Sequence, residues 1–145
     1  MAVKFEFVNT VICEKVLTEV DGITSAIRIV DLFFIPENAP ETFVIQFTVI
    51  IALRAFITSP EEFRVGITLI GPTGNRQRLP DPPEQPYKLS IFENDPSVPS
   101  GFTLIIGCAV KPTKLGTCYL EVEVNGEAIT KIPFTLRRVP AEQNT

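Results

Sequence analysis

The chain has no histidine and no tryptophan among its 145 residues, with only one methionine, two tyrosines and three cysteines. Each shortage closes a route. Without histidine no ordinary side chain titrates near neutral pH, so acyl transfer of the Ser-His-Asp or Cys-His kind is excluded and only the rarer Ser-Lys designs are left. Ser90 with Lys88 can be written as such a pair, but alternate positions on a strand are commonplace. Zinc is disfavoured as well, because three scattered cysteines give neither a four-ligand set nor paired C-x-x-C knuckles. Cys13, Cys108 and Cys118 are odd in number and irregular in spacing, and read as small buried hydrophobes of a reducing compartment. Acidic residues outnumber basic ones by 17 to 13, against the clustered cations that a phosphate backbone needs. No long apolar run occurs either. The longest, Phe43 to Ile57, is interrupted by Gln46, Thr48 and Arg54 and is too short to cross a bilayer. Met1 to Phe7 alternates charge with apolar residues, unlike a secretory leader. These absences set the expectations of a cytoplasmic protein that is not an enzyme, with no cofactor, no metal, no nucleic-acid partner and no membrane.

What is present is strand signal. Valine, isoleucine and eleven phenylalanines recur with a period of two, between turns marked by proline, glycine and Asn-Gly. The first strand covers Val3 to Cys13, with Val3, Phe5, Phe7 and Val11 on one face. Asp21-Gly22 turns the chain into a second strand, Ile23 to Ile35, with Ile27, Ile29 and Phe33 on one side. Phe43, Ile45, Phe47, Val49, Ile51 and Leu53 alternate with polar residues in the clearest strand. Phe63, Val65, Ile67 and Leu69 follow, then a short polar strand, Arg76 to Leu79. The proline-rich loop Pro80 to Pro86 precedes Tyr87, Leu89 and Ile91, and the loop Glu93 to Gly101 precedes Phe102, Leu104, Ile106, Cys108 and Val110.

The last hairpin, Thr117 to Leu136, turns at Asn125-Gly126, which suits the positive φ angles of a type I′ turn. Its apolar parity does not match across the turn. Cys118, Leu120, Val122 and Val124 share one face, whereas Ile132, Phe134 and Leu136 fall on the other parity. A β-bulge near Thr130 and Lys131, before Pro133, reconciles them. Eight or nine strands with this much apolar surface fold most economically as an all-β, immunoglobulin-like antiparallel β-sandwich, a single domain over residues 1–139 with a polar tail, 140–145.

The run Val11-Ile12-Cys13-Glu14-Lys15-Val16, then Asp21-Gly22 and Ser25-Ala26-Ile27-Arg28-Ile29-Val30-Asp31, resembles the opening of a family of small uncharacterised bacterial β-sandwich proteins. The closing segment Gly116 to Gly126, running on to Ile132-Pro133-Phe134, resembles that family's end and equally the last hairpin of many immunoglobulin-like modules. Here Gly22-Ile23 stands where the family has a glycine-lysine turn. The resemblance implies a sandwich and adds no chemistry, since that family has no established activity.

Three polar constellations each have a competing reading as solvated surface. Glu121 and Glu123 lie about 7 Å apart on one strand face, a carboxylate pair with no deep, aromatic-lined cleft to serve. Asp81, Glu84, Glu93, Asn94 and Asp95 could offer oxygens to Ca²⁺, but lack the spacing of a calcium loop. Arg64, Arg76, Arg78 and Lys88 form a possible basic stripe with few aromatics between them. The strongest signal is apolar. Phe33-Phe34-Ile35, Val49-Ile50-Ile51 and Leu104-Ile105-Ile106 put large hydrophobes on both faces of their strands, and a sandwich buries only one face per strand. Phe34, Ile50, Ile70 and Ile105 are therefore the expected interface of a protein that works by protein–protein association, with a homo-oligomer as the expected assembly. The alternative is a ligand-binding module that holds a small apolar molecule or a sugar among its phenylalanines.

Overall fold

The clean alternation of β4 (Ile45–Ala55) sets the architecture: Ile45, Phe47, Val49, Ile51, Leu53 and Ala55 are buried, while Gln46 and Arg54 are exposed. A strand with one such face must place it against another layer. The computed structural model describes residues 4–18, 24–79, 86–112 and 114–139. Its strands are β1 (Phe7–Thr18), β2 (Thr24–Ile29), β3 (Leu32–Ile35), β4, β5 (Glu61–Phe63), β6 (Val65–Ile70), β7 (Arg76–Arg78), β8 (Tyr87–Leu89), β9 (Ser100–Val110), β10 (Gly116–Val124) and β11 (Glu127–Arg138). They form a first sheet in the order β2-β1-β4-β9, a second in the order β3-β11-β10-β6-β7, and a small pair β5-β8. The fold is all-β. Among the described residues every pairing is antiparallel except β3 with β11, which run parallel. The eleven strands among the described residues exceed the expected eight or nine because two predicted strands each break in two. Among the described residues no helix is long and apolar enough to cross a membrane.

The first break moves the chain between sheets. Read as one strand, Ile23 to Ile35 separates at Val30 and Asp31 into β2 in the first sheet and β3 in the second. Val30 N–H donates to the Ile12 carbonyl at 2.9 Å, and the Asp31 carbonyl accepts from Thr135 N–H at 2.8 Å. Adjacent residues thus satisfy their backbone groups in opposite layers. The second break, at Arg64, separates β5 from β6. Arg64 N–H donates to Asn125 Oδ1 at 3.0 Å and its carbonyl accepts from Asn125 N–H at 2.8 Å, so the last hairpin's turn docks there.

That turn is the expected one, with φ of 51° at Asn125 and 82° at Gly126. The bulge is present too, one residue earlier than expected. Val124 faces Glu127 and Glu123 faces Ala128, but Val122 faces Thr130, leaving Ile129 extra on β11. The slip brings Leu120 opposite Ile132 and Cys118 opposite Phe134, so Phe134 and Leu136 turn inward and are buried. Pro133 precedes the β3 pairing, which begins at Thr135; on that side β11 is locally an edge, where a missing N–H costs nothing. The Asp21-Gly22 turn, the Pro80–Gln85 stretch and the 140–145 tail lie outside the described residues.

One contiguous core joins the two sheets. At one end Phe47 of the first sheet meets Phe134 of the second at a ring separation of 5.8 Å, and Phe33 contacts both at 5.4 and 5.8 Å. At the other end Phe63 gathers Phe5, Tyr87 and Phe102, at 5.0, 5.7 and 5.2 Å. Between them lie aliphatics, including Val49, Ile51, Ile67, Leu120 and Val122. The register corrects one assignment. Val8, Thr10 and Ile12 face Leu53, Ile51 and Val49 and share their inward face, so Val11 points outward. Both parities of β1 are apolar there, and alternation alone does not choose between them.

Two stability outcomes follow from this core. Phe47→Ala, which empties the cross-sheet contact, should cost about 3–5 kcal/mol in urea unfolding. Thr10 Oγ1 is buried with no hydrogen-bond partner among the described residues. Thr10→Val should therefore raise stability by about 1 kcal/mol, and a lower urea midpoint for that variant would refute the orphaned hydroxyl.

Candidate interaction face

The outer faces of the two sheets differ in chemistry. On the second sheet, Tyr119, Glu121 and Glu123 of β10 stand opposite Ile70, Thr68 and Gly66 of β6, and β7 brings Arg76 and Arg78 to the far side of β6. Each arginine crosses β6 to reach a carboxylate: Arg76 pairs with Glu121, and Arg78 with Glu123 at 2.7 Å. Gly66 makes the second crossing possible, because a Cβ there would lie 1.8 Å from Arg78 Nη2. Lys131 Nζ sits 4.6 Å from the Tyr119 ring centre, a cation–π contact that extends the polar layer. Glu121 and Glu123 are thus arginine-paired, and Arg76 and Arg78 are spoken for, which dissolves both the carboxylate pair and the basic stripe as separate sites.

The outer face of the first sheet carries no such layer. Register sets three rows across β1, β4 and β9: Asn9, Ala52 and Thr103; Val11, Ile50 and Ile105; Cys13, Thr48 and Gly107. None of the nine is charged. Ile105 is 45% exposed, and with Ile50 it forms a low apolar ridge. A hollow of about 340 Å³ beside Thr48, Gly107 and Ala109 flanks the ridge on one side. Another of about 580 Å³ beside Asn9, Ala52 and Arg54 flanks it on the other.

The four expected interface residues do not form one patch. Ile50 and Ile105 are neighbours on the first sheet. Phe34 is 51% exposed but stands on β3 of the second sheet, beside Arg137. Ile70 is corrected outright: it is only 7% exposed, held between Tyr119 and Arg76 on its two sides.

Sequence reading missed the edges, since they depend on strand order. Edge strands offer unpaired N–H and C=O groups and are usually kept short, charged or proline-bearing. β7 is three residues with two arginines, β3 is four residues followed by Pro36, and β2 is six residues ending at the sheet switch. β9 is eleven residues, Ser-Gly-Phe-Thr-Leu-Ile-Ile-Gly-Cys-Ala-Val, with no charge and no proline. Among the described residues it pairs with β4 alone.

The remaining candidates lie elsewhere. Glu93 and Asn94 occupy a single 3-10 turn, Phe92–Asn94, with φ of 47° and 57°. Asp95 accepts hydrogen bonds from Ser97 Oγ at 2.6 Å and Ser97 N–H at 2.9 Å. Those bonds, the side-chain one foremost, hold the Asp95 carboxyl below its ordinary range, and tie it to its own loop. Asp81 and Glu84 lie outside the described residues. Among the described residues no group of three or more His, Cys, Asp or Glu side chains is placed to hold a metal. At one end of the sandwich an open cleft of about 500 Å³ has Ile35, Ala39, Phe43 and Leu115 in its lining, with Lys111, Lys114, Arg138 and Glu41 around them. Arg138 Nη1 is fixed by a hydrogen bond to the Glu37 carbonyl at 3.1 Å.

No family model matches the chain, and no curated protein matches it. Among solved structures it is similar to an alkylpurine DNA glycosylase from Pseudomonas fluorescens bound to DNA containing an abasic site analog, at 15% identity and a TM-score of 0.49. The match covers 63% of this chain and 25% of the glycosylase chain, so this chain spans about a quarter of that protein. Two expectations are corrected by this finding: because the similar structure is an enzyme on DNA, the exclusions of an enzyme and of a nucleic-acid partner are withdrawn. At this identity and TM-score the likeness gives the chain neither an activity nor a ligand.

All three cysteines are buried. Burial pushes the Cys13 and Cys118 thiols up from their ordinary value, which keeps them protonated and unreactive. At pH 8, a disulfide reagent such as Ellman's should titrate none of the three within minutes in the native protein and all three in urea. Fast native labelling of Cys13 would show that the outer face opens around it.

Proposed function

We propose that this chain works by protein–protein association, and associates with itself, through the outer face of the first sheet and its β9 edge. One observation supports this above the rest: among the described residues β9 is a long, uncharged, proline-free edge strand with an apolar ridge beside it, while the β2, β3 and β7 edges carry protective features. Backbone groups on such an edge are satisfied by water until another strand is added, and addition supplies both a hydrogen-bonded ladder and apolar burial. The strand order also supports the immunoglobulin-like reading, with β3 set parallel beside the last strand. The test is light scattering on size-exclusion fractions over a dilution series. The wild type should run at twice the chain mass at micromolar concentration. Ile105→Lys should run as a monomer, with stability within about 0.5 kcal/mol of wild type because the site is on the surface. A wild-type monomer at every concentration overturns the reading.

A second reading, ligand binding, is favoured by the end cleft. Its apolar floor and three cations suit a small amphipathic anion, in place of the apolar molecule or sugar first expected. Titration with decanoate, followed by backbone amide shifts, should move Phe43 and Leu115. Lys111→Glu with Arg138→Glu should abolish those shifts; unchanged spectra would remove this reading.

A further inference from the structure

Resting on the association reading, the geometry points to a second copy of β9 as the occupant of the β9 edge, paired antiparallel about a twofold axis through Ile105. The two four-stranded sheets then join edge to edge into one continuous sheet.

Three observations carry this. The first concerns faces. Leu104, Ile106, Cys108 and Val110 are buried in the core, while Gly101, Thr103, Ile105, Gly107 and Ala109 are exposed. An added strand must keep its own buried face on the same side, because a one-residue slip turns every side chain over. Two antiparallel copies of β9 meet that condition only when facing positions share parity. Among those registers, the one centred on Ile105 overlaps the whole strand. It sets Ile105 against its symmetry mate, Thr103 against Gly107, and Gly101 against Ala109.

The second is charge. A residue near a twofold axis meets itself, so any charge there would repel its mate. β9 has none along its eleven residues. The third is what a foreign strand would read. Selective strand addition uses pockets and charges beside the edge. Four of the five exposed positions of β9 are Gly, Ala or Thr, and Gly107 has open space where a Cβ would stand. Only Ile105 has size, and it gains most by packing on another Ile105 next to Ile50. Twofold pairing also closes the assembly, since each copy's open edge is consumed by the other.

The test uses the full chain and engineered cysteines. Opposed residues in an antiparallel pair have Cα separations of about 4.5–5.5 Å, within disulfide reach. Ile105→Cys should link to its mate under mild oxidation. Thr103→Cys and Gly107→Cys should each fail to link alone but link when mixed, at least tenfold faster than either by itself; this pair leaves Ile105 intact. Light scattering runs alongside. A dimer with these links supports the pairing. A dimer that links in neither experiment overturns the β9 register and leaves association standing. A monomer without links overturns the association reading and this inference together.

Discussion

The packing of Phe47 on Phe134 across the two sheets is the contact on which the remaining structure depends. Each ring belongs to a strand with neighbours on both sides, β4 between β1 and β9, and β11 between β3 and β10. Holding these central strands face to face fixes which way every flanking strand must turn its apolar side. The Ile129 bulge is subordinate to that requirement. Without the extra residue, β11 would keep the parity of its turn, and Phe134 would point to water while Pro133 faced the core. Phe33 completes the cluster from β3, and it can do so only because the chain changes sheets at Val30 and Asp31.

The two outer faces show how differently a sandwich can treat its solvent side. The second sheet is covered by its own side chains: arginines from a short edge strand lie across β6 onto glutamates of β10, with Gly66 leaving room beneath one of them. Ion pairs this exposed add little stability, on the order of 1 kcal/mol or less each. Their effect is to occupy the surface and to keep β7 from accepting another strand. Among the described residues the first sheet has no comparable cover, and its β9 edge has no comparable guard. Among the described residues, a sheet whose three central outer rows are uncharged and whose β9 edge is unguarded, beside β2, β3 and β7 edges that are guarded, is the asymmetry that the functional reading turns on.

Much of this was legible from local pattern. The alternation of β4, the Asn125-Gly126 turn and the parity conflict that demands a bulge are properties of contiguous residues, and the structure has all three. The failures share a physical cause, which is that a neighbour in space was needed. Ile70 reads as surplus on an apolar strand until Arg76 and Tyr119 are set beside it. Val11 and Ile12 are equally apolar, so only the register with β4 decides which is buried. Ile23 to Ile35 has no proline or glycine to break it, and Asp31 is its one interruption of the Ile27, Ile29 and Phe33 face, yet two backbone hydrogen bonds to strands in different layers divide it. Of the candidate interface, Ile50 and Ile105 could be found by counting large residues on both faces of a strand. That they are cross-strand partners, and that one of them lies on a strand paired on one side alone among the described residues, is a matter of strand order, which a single sequence does not encode locally.

The parallel pairing of β3 with β11 has a kinetic side. It joins residues 32–35 to residues 135–138, a separation of about a hundred positions, and contacts of such long range are what slow the folding of β proteins. During synthesis, Phe33 has no Phe134 to meet, and the Asp31 carbonyl no Thr135 amide, until nearly the whole chain has been made. The first sheet can assemble from β1, β4 and β9 earlier, with its uncharged edge already formed. The nascent chain therefore passes through a stage in which that edge exists before the second layer is complete, the stage at which neighbouring copies are most able to pair wrongly.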